Sequence, residues 1–117
     1  MIDTSPMITQ IARFEMQKGK ENQACEAFSK MAAAVKANEP GCLMYAITRG
    51  QINAQEVYVY EIYTGQAAFE PHRKTDHMLE FRKAFDESMN RAAFNVEVLD
   101  EIAGFVRNPI EQMTGQM

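Results

Sequence analysis

A chain of 117 residues suits one domain built on one core, since single cores usually form within about 100 to 150 residues. Hydrophobic residues make up 46% and charged residues 24%, a globular balance that excludes extended disorder away from the ends. The formal net charge is -4 and Lys and Arg never run beyond an adjacent pair, so a phosphate-tracking surface has no support and nucleic acid is not an expected partner.

No apolar run approaches the roughly 18 to 20 residues that cross a bilayer, so no membrane partner is expected. The opening MIDTSPM is neither basic nor apolar enough for export. Cys25 and Cys42 are the only cysteines and lack metal-ligand spacing, which points to a reduced, cytoplasmic setting with no disulfide and no metal. Residues 1–6 read as an N-terminal tail, 7–103 as the domain and 104–117 as a C-terminal arm.

MITQIARFEM alternates Ile8, Gln10, Ala12 and Phe14 against Met7, Thr9, Ile11 and Arg13, the period of a first strand. QKGKEN turns the chain through Gly19. Ala24, Ala27, Phe28, Met31 and Val35 then recur at helical spacing, and Pro40 forces the helix to end near Asn38. CLMYAITRG and EVYVYEIYT form two strands joined by QINAQ as an antiparallel hairpin. Thr64 is positioned to cap a short helix through Phe69, and Thr75 or Asp76 a second one with Met78, Phe81, Phe85 and Met89 on one stripe. Pro71 between them is expected to break or kink the path. FNVEVLDEIA is a fourth strand, and the weakly periodic remainder reads as an arm whose Ile110 and Met113 could anchor on a partner or over a pocket mouth.

The order β, α, β, β, α, β predicts a ferredoxin-like α+β subunit, a four-stranded antiparallel sheet with its helices on one side. The strands are apolar on both faces, so the second face needs a cover. A second copy packed sheet to sheet would supply it, closing a dimeric α+β barrel whose interior is expected to hold the pocket.

NEPGCLMYAITR followed by VYVYEIYTGQAAFEPHRKTDHM resembles the antibiotic biosynthesis monooxygenase family, over about residues 7 to 103. The resemblance implies the dimeric α+β barrel fold. It covers cofactor-independent oxygenases of quinols and polyketide aromatics, haem-degrading enzymes and isomerases. In the haem-degrading branch the catalytic Asn, the Trp and the iron-ligating His fall at Ala12, His72 and Arg82. A guanidinium has no free lone pair for iron. His77, one turn earlier, is the only substitute at hand.

EPHRKTDHM holds the only two histidines, His72 and His77. With an ordinary pKa near 6.5, His72 can take a phenolic proton; equally, it can end the short helix and hold the next turn. His77 lies in the first turn of the second helix, where the positive dipole end lowers its pKa, or where it caps or meets a partner. Glu61 shares a strand face with Val57, Val59 and Tyr63 and therefore needs a partner, which Arg49 or Arg13 could provide. It then serves as a structural ion pair or orients a histidine or substrate hydroxyl. Tyr45, Tyr60 and Tyr63, with Phe14 and Arg49, are the candidate substrate contacts, although core and dimer packing explains most such tyrosines.

What the resemblance implies is a monooxygenase acting with O2 on a small phenol, quinol or polyketide-like aromatic. No cofactor is expected, because the substrate itself is the reductant and no nucleotide, P-loop, zinc-protease or serine-hydrolase motif occurs. The alternatives are a dimeric protein that binds a small molecule without turnover, or an isomerase of the same fold.

Overall fold

The computed structural model describes residues 7–105. In chain order they form β1 (Ile8–Glu15), α1 (Glu21–Asn38), β2 (Cys42–Arg49), β3 (Glu56–Tyr63), α2 (Gln66–His72), α3 (Asp76–Ser88) and β4 (Asn95–Asp100), with a 3-10 turn over Arg91–Ala93 before β4. The four strands pair antiparallel in the order β2-β3-β1-β4. This is the ferredoxin-like α+β subunit that the periodicity predicts. No helix among the described residues is long and apolar enough to cross a membrane.

Strand alternation decides which side chains meet the helices. On β1, Gln10, Ala12 and Phe14 are buried, and across the ladder they face Glu61, Val59 and Val57 of β3. Gly19, at φ 87, turns the chain into α1, whose Ala24, Phe28, Met31 and Val35 form the buried stripe. Phe14 sits at the centre, edge-on to Phe28, Phe81 and Phe85 at centroid distances of 5.1, 5.8 and 6.0 Å. Thr75 caps α3, its Oγ1 accepting the Met78 N–H at 3.2 Å and donating to the His72 carbonyl at 3.0 Å.

Four local expectations are corrected. Gly65, not Thr64, occupies the N-cap of α2 and offers no side-chain cap; the Thr64 N–H bonds Gly41 O at 2.9 Å instead. Pro71 lies inside α2 rather than between helices, one residue before its end, where the missing N–H costs a single helical bond. α2 accordingly runs past the expected end at Phe69, and His72 is its last residue. Met89 falls outside α3, which ends at Ser88; its N–H closes the helix on Phe85 O, and it bridges to Met16.

The sheet face turned away from the helices presents Ile11, Ala46, Met44, Tyr60 and Ile62. Tyr60 there is 37% exposed. The expected N-terminal tail and most of the expected arm, with Ile110 and Met113, lie outside the described residues.

Candidate active site

The chain's two histidines converge with two carboxylates where the end of α1 meets α2, α3 and the sheet. α1 stops at Asn38, the Glu39 N–H bonding Val35 O before Pro40 leads the chain away. That stop leaves the Glu39 side chain facing the C-terminus of α2 and the first turn of α3. Its two oxygens lie 2.9 and 3.0 Å from His72 Nδ1, and Oε2 lies 2.5 Å from His77 Nε2. A carboxylate only accepts, so His72 carries its proton on Nδ1 and donates to Glu39.

The other ring nitrogen of His72 faces β3. Nε2 stands 3.5 Å from Glu61 Oε1. Tyr63 donates its O–H to Glu61 Oε1 at 2.6 Å, and Gln10 donates Nε2–H to Oε2 at 3.2 Å. His72 and Glu61 are each only 3% exposed. The Tyr63 and Tyr45 rings flank the imidazole at centroid distances of 5.4 and 6.0 Å.

Burial pushes the Glu61 carboxyl above the ordinary carboxylate range, opposed by the Tyr63 hydroxyl, the nearby His72 and the Gln10 amide. Burial, with the charge of Glu61, raises the phenols of Tyr45 and Tyr63, so both remain neutral donors. Burial, with the charges of Glu39 and Glu61, raises the Cys42 thiol to about 11.

His72 and Glu61 open onto a cavity of about 420 Å³ between the sheet and helices α2 and α3. Gln10 and Tyr45 complete its polar end, and Phe14, Phe69, Phe81, Phe85 and Phe94 supply aromatic walls. This cavity lies on the helix-covered face of the sheet, opposite the face through which the expected barrel of two sheets would close.

Of the residues singled out in sequence, His72, Glu61, Tyr45 and Phe14 come together around this cavity. Tyr63 lies fully buried behind Glu61 and positions it. His77 stands on the far side of Glu39, facing a hollow between α1 and α3. Tyr60 is on the other sheet face. Neither proposed partner reaches Glu61: Arg13 pairs with Glu56 at 2.7 Å, and Arg49 bonds Ala54 O at the exposed end of β2. Tyr, Gln and His replace them, which satisfies a buried carboxylate without a second buried formal charge.

Glu39 and Gln10 are functional candidates that the sequence reading passed over. The signal for Gln10 was present: it is the one polar side chain in the inward register of Ile8, Ala12 and Phe14. Glu39 was hidden by Pro40, which accounts for a helix end without asking what the preceding side chain does. Glu39, His72 and His77 also bring one oxygen and two nitrogens within 4.8 Å, a donor set able to hold a divalent cation. Within the protein itself hydrogen bonds join the three.

The family model for antibiotic biosynthesis monooxygenases matches residues 7–84. Among solved structures, a candidate antibiotic biosynthesis monooxygenase from Caulobacter crescentus CB15 is 33% identical with a TM-score of 0.78, over 85% of this chain and 92% of that one. A Pseudomonas aeruginosa protein has the same TM-score at 22% identity, over 87% of this chain and 100% of that one. A Mycobacterium tuberculosis protein follows at 23% identity and a TM-score of 0.75, over 84% and 97%. No curated protein matches. Sequence and fold agree that this chain belongs to the antibiotic biosynthesis monooxygenase family.

Proposed function

We propose that the protein is a cofactor-independent monooxygenase that oxidises a small phenolic or quinol-type aromatic with O2, using His72 as the base. The observation that carries this reading is the placement of His72: Nδ1 anchored on Glu39, and Nε2 at the polar end of an aromatic cavity beside Glu61. A neutral imidazole fixed through Nδ1–H has its lone pair on Nε2, where a phenolic proton would be received. Glu39 and Glu61, on either side of the ring, would then stabilise the imidazolium that forms.

The remaining chemistry is the substrate's own. The phenolate gives one electron to O2, and the aryl radical and superoxide combine to form a C–O bond. The peroxide takes back the proton from His72. The O–O bond then breaks as the ring C–H hydrogen leaves, giving a quinone and one water. The protein contributes a positioned base, the neutral O–H of Tyr45 as a donor, and walls that limit water. Convergence of Gln10, Tyr45, Glu61 and His72 on one end of the cavity supports turnover over mere binding, which would not need a buried base.

The apolar side chains on the outer sheet face support the further proposal that two copies pair through it, giving a solution mass by light scattering of twice 13.3 kDa. Oxygen uptake tests the activity: chelator-treated protein with dihydroxynaphthalenes and anthrones, beside His72→Ala and His72→Gln. Uptake above the spontaneous rate that falls at least about tenfold in both variants supports the reading. Binding of these aromatics with no uptake would overturn it and leave a binding protein.

A further inference from the structure

We infer that the substrate is an anionic aromatic, one bearing a carboxylate that stays at the cavity mouth while its phenolic ring reaches His72. The inference rests on the function proposed above only in taking the ligand to be aromatic.

The cavity has two chemically distinct ends. His72 and Glu61 mark the buried end. Arg73, Arg82 and Arg91, all exposed, line the same cavity and mark its mouth. Asp86 is the only acidic group lining that end, and it is paired with Arg91. Arg73 and Arg82 have no carboxylate within ion-pair distance among the described residues. Three guanidinium groups against one carboxylate form a local excess of positive charge, in a chain whose net charge is -4. That excess runs against the overall balance, so composition does not explain it.

The arginines are also held at the wall. Arg73 lies over the Phe69 ring at 5.8 Å and Arg91 over Phe85 at 5.3 Å, and both rings line the cavity. Arg82 donates from Nη2 to the Arg73 carbonyl at 3.3 Å. Arg91 gives its N–H edge to Asp86, but a guanidinium stacked by its face, as Arg73 is, can present its N–H edge to a ligand, and that edge matches a carboxylate fork. At the other end, the charge of Glu61 repels an anion. Orientation follows from this polarity: carboxylate outward, phenol inward. A volume of about 420 Å³ holds a fused-ring aromatic rather than a single bare phenol.

Equilibrium binding tests this without turnover. The probes are 6-hydroxy-2-naphthoate, whose two groups stand at opposite ends of the ring system, and 2-naphthol, titrated by calorimetry into wild type, Arg73→Gln, Arg82→Gln and the double variant at two salt concentrations. The naphthoate should bind at least tenfold more tightly than the naphthol. That preference should shrink at high salt and disappear in the double variant, with naphthol affinity unchanged. Equal affinities in wild type, or a preference that survives both substitutions, would overturn the inference. A naphthoate preference in a protein that consumes no O2 would sustain this inference while sinking the oxygenase reading; O2 consumption without the preference would do the reverse.

Discussion

Glu39 and His72, 33 residues apart, are joined through both carboxylate oxygens to a single ring nitrogen at 2.9 and 3.0 Å. This contact sets which nitrogen of His72 carries the proton. Replacing Glu39 by Gln keeps the shape but supplies an amide that can either accept from Nδ1–H or donate to a bare Nδ1, so the ring is no longer fixed in the Nδ1–H tautomer alone. Oxygen uptake in Glu39→Gln should fall roughly 10- to 100-fold in kcat with little change in KM, as expected of groups that orient a reacting histidine. Nitrogen-15 NMR of the His72 ring should show the Nδ1–H form diminished. An unchanged tautomer and an unchanged kcat would reduce Glu39 to a helix-end contact.

Glu61 is a carboxyl whose burial lifts its pKa in the folded state above the unfolded value. Between those two values the native state binds more protons than the unfolded one, so stability falls as pH rises through the window. Glu61→Gln removes that term while keeping an oxygen to accept from Tyr63. The variant should melt a few degrees above wild type at pH 8, and its advantage should shrink towards pH 4. Thermal melts across pH check this; an advantage that does not change with pH would show that the charge is not what is costly.

The fold was legible because its strands alternate and its helices carry one apolar stripe each; β1 even displayed Gln10 in the inward register. The site was legible only in part. His72 and Glu61 stood out as a scarce residue type and a misplaced charge, but their connection runs through Glu39, and no local pattern links an α1 terminus to an α2 terminus. Arg13 and Arg49 were drawn to Glu61 by strand adjacency. Sheet pairing instead places Arg13 opposite Tyr58, on the other face, where Glu56 claims it. Which sheet face holds the cavity depends on how far α2 and α3 stand off the sheet, a quantity that periodicity does not encode.

Cys42 begins β2 next to the same network. Burial, with the negative charges of Glu39 and Glu61, raises its thiol to about 11, and its Sγ points to Met44 O at 3.4 Å. At neutral pH its thiolate fraction is roughly 300-fold below that of a free cysteine. Iodoacetamide at pH 7.5 should therefore modify Cys42 in the native protein at least 100-fold more slowly than in the urea-unfolded chain. Peptide mapping separates it from Cys25. Labelling at equal rates in the two states would exclude the suppressed thiolate.

Gly41 brings the start of β2 against α2. A Cβ at this position would lie 2.5 Å from Ala68 Cβ and 3.2 Å from Thr64 Oγ1. The Gly41 carbonyl also accepts the Thr64 N–H at 2.9 Å, so the two segments cannot separate without losing that bond. Gly41→Ala should cost about 1–3 kcal/mol as an overpacked contact. That corresponds to a melting temperature lower by about 5 °C or more. Displacing α2 also moves His72 at its end, so oxygen uptake should fall with stability. Ala68→Gly removes the atom in the way but carries its own helical cost of about 1 kcal/mol. If the contact is the cause, the double variant is less destabilised than the two single losses combined. Strictly additive losses would mean that Gly41 acts through the flexibility of its own backbone and not through its closeness to α2.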